Sequence, residues 1–314
     1  TNSGFRALQH VLRRLQTGRQ LAHPVLRAMQ DRGDLPTVEG PVYEFLRGLG
    51  FRHVELGFGL GLGGNRETLD LLEREARACG EAGLGAAIHP GPDREENDRA
   101  AWFGAEPSDQ PGIVPVLEAA TLAAEASGGR VVCVLHPAQY VYEPGRSDLT
   151  ALRRDLVRRS RLFFAELTRR TADAEPPVIP VAEHQLPPDP GEPLMRIGDN
   201  CRELLEVVGE DGPDICWDLG HYILRVDRYG QPEPPPRQFL ARVRHVHLHD
   251  VVDGSDHRPI TAGSTRVKAL IECLLGAGFD GTITLEYAAE GIRAAGGVER
   301  ALRRSVDLLG EWLG

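Results

Sequence analysis

The sequence Arg244-His-Val-His-Leu-His-Asp250 holds three histidines in strict alternation, with an aliphatic residue between each pair. An alternation with a period of two predicts a β-strand, and that strand turns His245, His247 and His249 to one face. Imidazoles that pack together inside a protein need hydrogen-bond partners or a metal ion. The stretch therefore predicts a strand with a functional face, although a single buried histidine is more often a satisfied core residue.

Short apolar segments alternate with amphipathic helical segments on both sides of this strand. Strand candidates are residues 54–56, 84–88, 131–135, 178–182, 214–217, 243–248 and 282–285. Helix candidates begin near Thr68, Val114, Leu149, Asp199 and Thr265, and a last one covers 298–313. Because strands that alternate with helices form a parallel sheet, the pattern predicts an α/β fold of the (β/α)8 TIM-barrel type. Its first strand is atypical or missing, since only seven strands can be recognised.

The residues that precede this alternation predict a helical N-terminal arm. Apolar positions recur with helical spacing between residues 5 and 31, and a second helix is expected from about Pro41 to Leu49. We therefore expect residues 1–50 to form an arm of the barrel domain and residues 51–314 to form the barrel. The arm either covers the bottom of the barrel or mediates a homodimer, and the sequence leaves both open.

The composition restricts the classes of partner. The net charge of −10 argues against a broad basic surface for nucleic acid. No apolar run approaches the ~20 residues that cross a bilayer, and no signal-like N-terminus is visible, so we expect a soluble, cytoplasmic protein. The five cysteines form no Cys-x-x-Cys pattern and are expected to be reduced core residues. Lys268 is the only lysine and lies at a predicted helix start, which argues against Schiff-base chemistry.

A His, Asp or Glu stands at or near the carboxyl end of six successive strand candidates: His89, His136, Glu183, Asp218, His247 and Glu286. In a closed barrel these ends converge on one mouth. Burying them unpaired would be costly, so the set predicts a metal site. Carboxylate and imidazole ligands without thiolate suit Zn, Mn, Fe or Co. Glu55, alone on the first visible strand, is expected to belong to a structural polar network.

The order of these motifs resembles the xylose-isomerase-like TIM-barrel superfamily, which includes sugar isomerases and epimerases and the endonuclease IV group. The resemblance covers roughly residues 51–314 and implies a metal-dependent isomerase-like domain there. The motifs that carry it are Val-Glu-Leu56, Leu-His-Pro137, Ala-Glu-His184, Trp-Asp-Leu-Gly-His221, Val-His-Leu-His-Asp250, Asp-His-Arg-Pro259 and Leu-Glu-Tyr287.

The ketose epimerases of that superfamily imply a particular distribution of roles. By motif position, the ligands of one divalent ion fall on Glu183, Asp218, His247 and Glu286. The two glutamates also act as the acid/base pair, while the metal polarises a carbonyl and a hydroxyl of the sugar. Substrate oxygens are then bound by His221, His257 and Arg258. For His221 an orienting role, and for Arg258 an ion pair in the loop, remain as alternatives.

The endonuclease IV group implies a three-zinc cluster with further ligands. His89, His136, His221 and His257 match those motif positions. Ser255 stands where a ligand Asp is expected, and Thr261-Ala-Gly263 replaces the usual Gly-Glu-Gly, so the full cluster is in doubt.

Four functions therefore stay open. The leading hypothesis is an isomerase or epimerase of a sugar or related polyhydroxy compound. The alternatives are a multinuclear hydrolase or phosphodiesterase, a lyase or dehydratase with the same enolising chemistry, and a barrel without catalysis. The loops that choose the small-molecule substrate are expected to be residues 90–112, with Trp102 and Phe103, and residues 184–198.

Overall fold

Seven parallel strands form the central sheet. The computed structural model describes residues 42–60, 62, 66–92, 99–231 and 233–313. In their order across the sheet the strands are β1 (His53–Leu60), β2 (Gly85–Pro92), β3 (Val131–Leu135), β5 (Val178–Glu183), β7 (Asp214–Asp218), β8 (Val243–Leu248) and β11 (Thr282–Leu285). Each neighbouring pair is hydrogen-bonded in parallel register. All seven predicted strands are confirmed.

The sheet curls so that its two edge strands face each other, as a TIM barrel requires. The Thr284 hydroxyl on β11 donates to the Glu55 carboxylate on β1 at 3.2 Å. The helix predicted over residues 5–31 falls within residues 1–41, which lie outside the described part of the chain, and the first barrel strand, expected to be atypical or missing, is not tested by the described residues.

Ten helices in the described residues connect and flank the strands. They are α1 (Val42–Gly48), α2 (Arg66–Glu81), α3 (Ile113–Ser127), α4 (Leu149–Thr171), α5 (Cys201–Val208), α6 (Leu219–Tyr229), α7 (Arg237–Leu240), α8 (Thr265–Gly276), α9 (Ala289–Ala294) and α10 (Val298–Leu313). The longer ones bury one apolar stripe, as α2 does with Leu69, Leu72, Ala76 and Cys79. None of the helices in the described residues has the length and apolar character of a membrane span. All five cysteines are free, and four of them are buried, as expected.

Helix α6 was not predicted from the sequence. Its first six residues, 219–224, are all buried, so no exposed polar residue marks a helical period in that half, and only residues 225–229 have exposed or partly exposed side chains. Its N-terminal cap is Asp218, whose side chain accepts a hydrogen bond from the backbone N–H of His221 at 2.7 Å. Asp218 therefore ends strand β7 and also caps the N-terminus of helix α6.

Two short antiparallel pairs lie in segments that follow strands of the barrel and that were not predicted to be strands. Strand β4 (Gln139–Val141) pairs with β6 (Leu194–Arg196), and β9 (Asp250–Val252) pairs with β10 (Ser255–Arg258). Segments of three or four residues carry too little alternation to be recognised from sequence. Both pairs follow strands of the barrel, so they shape its mouth.

Trp102 and Phe103 do not stand exposed in the loop after β2. Both side chains are buried in the main hydrophobic cluster, and the Phe103 ring lies 4.8 Å from the Phe163 ring on α4. The expectation that they help to choose the substrate is not supported, because their side chains anchor the loop to the outer layer of helices.

Candidate metal centre

The strand-end side chains of the barrel meet at its mouth. Four overlapping groups each hold three side chains whose ligand atoms lie within 4.8 Å of one another. The groups are His89, His136 and Glu183; Glu183, Asp218 and His247; Asp218, His249 and Glu286; and His221, His249 and His257. All of these side chains are buried except that of His136, which is partly exposed. The structure thus brings together every metal ligand that the sequence predicted.

His247 lies at the centre of the predicted ligand set. Its Nδ1 is 3.1 Å from Glu286 Oε2, 3.6 Å from Glu183 Oε1 and 3.9 Å from Asp218 Oδ2. Among the described residues, no hydrogen bond of acceptable geometry reaches His247 Nδ1 or Glu286 Oε2, although both atoms are buried. Buried polar atoms without such partners are unusual, and a cation between them would satisfy both.

The other nitrogen of His247 contacts Glu55 below the mouth. His247 Nε2 lies 3.1 Å from Glu55 Oε1 and 3.2 Å from Oε2, and His245 Nε2 lies 2.8 Å from Oε2. With its hydrogen on Nε2, His247 keeps the Nδ1 lone pair for a metal, the usual second-layer arrangement of a ligating histidine. The polar network expected around Glu55 is present, and it includes a predicted ligand, which sequence reasoning did not foresee.

Two carboxylates of the centre have lowered pKa values. Burial alone would raise the pKa of Glu183, but His136, His247 and His89 outweigh it and hold that pKa well below its usual value. Burial likewise raises the pKa of Asp218, and His221 and His249 outweigh it and lower that pKa. The acids are therefore ionised at neutral pH, and their ion pairs are with histidines.

The charged groups around His247 also change the pKa of its imidazole. Burial would lower the pKa of His247, yet the neighbouring carboxylates of Glu55, Glu286 and Glu183 raise it well above the usual value. A site that favours the protonated form of a buried imidazole also stabilises a metal cation, because the proton and the cation each supply positive charge. Cys216 lies within ligand distance of His245 and His247, but burial raises the pKa of its thiol, so it stays protonated and is a poor ligand.

Two further histidines flank the outer oxygen of Glu183. His136 Nε2 lies 2.7 Å and His89 Nε2 2.9 Å from Glu183 Oε2, and the two rings meet edge to face. Glu183 directs its other oxygen, Oε1, toward His247. Its carboxylate therefore connects the central ligand set to a second group of nitrogen donors.

His221 and His257 form a third part of the mouth. His221 Nδ1 lies 3.0 Å from the backbone carbonyl of His184, and His257 Nδ1 lies 3.2 Å from that of Glu286. Because a carbonyl oxygen only accepts, each Nδ1 carries the hydrogen and each Nε2 is the basic nitrogen. His257 has a left-handed backbone, with φ of 52°. Such a conformation is uncommon for a residue other than glycine and is frequent at functional sites.

Arg258 is placed differently from the histidines. Its guanidinium pairs with the carboxylate of Glu290 at 3.1 Å, at the exposed edge of the mouth. This contact fits the alternative of an ion pair in the loop, and the role of Arg258 in substrate binding stays a prediction.

His249 is the site residue that sequence reasoning left without a role. β8 ends at Leu248, so His249 lies just beyond the strand, and its Nε2 contacts Asp218 at 3.0 Å. The signal was available, since the alternation of histidines continues to this position. Periodicity alone did not show which neighbour the ring would meet.

A family model described as "Xylose isomerase-like TIM barrel" matches residues 43–312. No curated protein matches the chain significantly. Among solved structures, 3-keto-D-glucoside 4-epimerase from E. coli is similar with a TM-score of 0.52 at 17% identity, covering 88% of this chain and 97% of that one. D-psicose 3-epimerase has a TM-score of 0.54 at 12% identity, covering 88% and 92%. Endonuclease IV from Thermus thermophilus has a TM-score of 0.47 at 17% identity, covering 87% and 93%. At such identities these likenesses concern the fold.

Proposed function

The chain belongs to the xylose isomerase-like TIM barrel family, and on that basis we propose that it is a divalent-metal-dependent isomerase or epimerase of a sugar or related polyhydroxy compound. The observation that supports this most is the convergence of three carboxylates on His247 Nδ1. One imidazole and three carboxylates form a donor set that suits Zn, Mn, Fe or Co.

Glu183, Asp218, His247 and Glu286 would hold the cation. A cation there would supply Lewis acidity, which polarises a carbonyl and a hydroxyl of the substrate. Asp218 and His247 are assigned to binding, since both are held by neighbouring groups through their second polar atom. Glu183 and Glu286 are assigned the proton transfers, because each is a carboxylate at the end of a different strand and so can approach the substrate from a different direction.

The proposed reaction removes one proton from carbon and supplies another. One glutamate takes the hydrogen from the carbon next to the substrate carbonyl, and the electron pair of that C–H bond shifts toward the carbonyl oxygen. The other glutamate returns a proton to the opposite face of the same carbon for an epimerisation. For an isomerisation it protonates the former carbonyl carbon, while the hydroxyl proton of the deprotonated carbon passes to the former carbonyl oxygen and that hydroxyl becomes the new carbonyl. His221, His257 and Arg258 are assigned to the substrate oxygens.

Two measurements test this proposal. Elemental analysis of the purified protein should find about one divalent ion per chain, with the ion lost on treatment with a chelator. Incubation with candidate sugars in D2O should then introduce deuterium at the carbon next to the carbonyl. A protein that binds no divalent ion, or that releases product without solvent deuterium in any accepted sugar, would contradict the proposed chemistry.

A second candidate function has its own supporting observation. His89 and His136 gather on Glu183, and His221 and His257 keep their Nε2 atoms as basic nitrogens, so donors exist for more than one cation. Two or three metal ions per chain, together with cleavage of a simple phosphodiester such as bis(p-nitrophenyl) phosphate, would favour a multinuclear hydrolase over the isomerase.

A further inference from the structure

His249 contacts both the candidate metal centre and the loop that follows it. Its Nε2 lies 3.0 Å from Asp218 Oδ1 and 3.1 Å from Oδ2. Its Nδ1 accepts a hydrogen bond from the backbone N–H of His257 at 2.8 Å. The two rings stack with their centroids 4.2 Å apart, and the His249 side chain is fully buried.

The contact with the backbone N–H of His257 determines the tautomer of His249. The backbone carbonyl of Asp250 also lies near Nδ1, but at 3.4 Å, so the N–H of His257 at 2.8 Å is the closer partner. A backbone N–H can only donate, and the Nδ1 that accepts from it offers a lone pair. A neutral imidazole with an unprotonated Nδ1 carries its hydrogen on Nε2, and that hydrogen faces Asp218. His249 therefore has no lone pair left for a metal, although it belongs to two of the groups with ligand spacing.

Gly220 provides the space for this ring. A Cβ atom at Gly220 would lie 1.9 Å from Cε1 and 2.2 Å from Nδ1 of His249, far inside contact distance. Gly220 is in the first turn of α6, two residues after Asp218. The absence of a side chain there lets the His249 ring reach the carboxylate.

We propose that His249 is a positioning residue that orients Asp218 in the metal centre. Asp218 Oδ1 accepts from the backbone N–H of His221 at 2.7 Å, and Oδ2 accepts from the Nε2–H of His249 at 3.1 Å. Because each oxygen has its own donor, the two contacts fix the rotation of the carboxylate beside His247. This inference rests on the proposed metal site and adds a residue and a tautomer to it.

Matched substitutions separate positioning from ligation and from packing. His249→Asn retains an oxygen that can accept from the His257 N–H but loses the donor to Asp218. His249→Gln places an amide N–H near the former Nε2 and can still donate to Asp218. Gly220→Ala leaves His249 in the chain and displaces its ring. The readout is the Kd for Co2+ in protein freed of metal, with the visible absorption of bound Co2+ as a report on its coordination.

Positioning predicts a characteristic order of affinities. His249→Asn and Gly220→Ala should weaken Co2+ binding about 10–100-fold, the usual effect of losing an outer hydrogen bond to a ligand. His249→Gln should retain most of the affinity and the wild-type spectrum. Equal losses in His249→Asn and His249→Gln would overturn the proposal in favour of direct ligation, and wild-type binding by His249→Asn would overturn it in favour of packing alone.

A further variant separates this inference from the proposed function. Asp218→Asn should weaken Co2+ binding at least as much as His249→Asn. If the wild-type protein binds no Co2+, or if Asp218→Asn binds Co2+ with the wild-type Kd, the proposed metal site itself is wrong. The role proposed for His249 is then wrong as well. Thermal unfolding of each metal-free variant shows whether it is folded, and Gly220→Ala and His249→Gln keep the test decisive if His249→Asn does not fold.

Discussion

Replacing Glu55 by glutamine should weaken metal binding without removing a ligand. Glu55 is fully buried, and its Oε2 accepts from three donors: His245 Nε2 at 2.8 Å, His247 Nε2 at 3.2 Å and Thr284 Oγ1 at 3.2 Å. A carboxamide offers one oxygen and one NH2 in place of two oxygens. In Glu55→Gln the amide oxygen can take the place of Oε2, but the NH2 group then faces the Nε2–H of His247, which lies 3.1 Å from Oε1, so the His247 ring must turn or change its tautomer.

The size of the effect follows from the bond that is lost. A hydrogen bond to a charged group contributes about 1.5–3 kcal/mol, and each 1.4 kcal/mol corresponds to about a tenfold change in Kd. His247 would lose the partner that keeps its hydrogen on Nε2, which orients Nδ1 toward the cation. We therefore expect Kd for Zn2+ or Co2+ to rise about 10–100-fold, the range typical of outer-layer substitutions.

Competition with a chromophoric chelator measures this Kd. Thr284→Val is the matched control, because it removes the hydroxyl that contacts the same carboxylate and leaves the Glu55–His247 contact intact. Its Kd should stay close to wild type. Unfolding of the metal-free variants is measured separately, since Glu55→Gln also removes a buried charge and its desolvation cost. A wild-type Kd for Glu55→Gln would refute the orienting role of Glu55.

Three more predictions concern the mouth of the barrel. Glu286→Gln should abolish turnover and solvent exchange, while circular dichroism and the melting temperature of the metal-free protein stay near wild type; unchanged activity would remove Glu286 from the mechanism. Chelation should lower the melting temperature more at about pH 9 than at about pH 6. The raised pKa of His247 means that its proton stabilises the metal-free fold below about pH 6.5, and that contribution is lost as pH rises. An equal loss at both pH values would count against this account. Arg258→Ala should raise KM several-fold, whereas Glu290→Ala should not, because only the arginine is assigned to the substrate; matching effects in the two variants would instead indicate that their ion pair serves the loop.

Periodicity determined most of the barrel from sequence alone. The bounds of β3, β8 and β11 were predicted to the residue, since each is a short apolar or alternating run between clear breaks. The alternation of strands and helices then required a parallel sheet, and a parallel sheet that closes gathers its carboxyl ends. For that reason the gathering of six strand-end side chains could be predicted across distances of more than a hundred residues, whereas the choice of four of them as ligands came from the family resemblance.

Only the tertiary structure decided the features that depend on the neighbours of a side chain in space rather than on the hydrophobic periodicity of the sequence. Helix α6 could not be recognised from the sequence, because residues 219–224 at its start are all buried. The roles of His247 and His249 were also beyond the sequence: the same strand motif carries both, yet one ring offers a lone pair to the centre and the other donates to Asp218. What separates them is the group on the far side of each ring, the Glu55 carboxylate for His247 and the His257 backbone N–H for His249. Spacing along a chain specifies where a side chain points, whereas the partner that sets its tautomer comes from a distant segment or from the backbone of a folded loop.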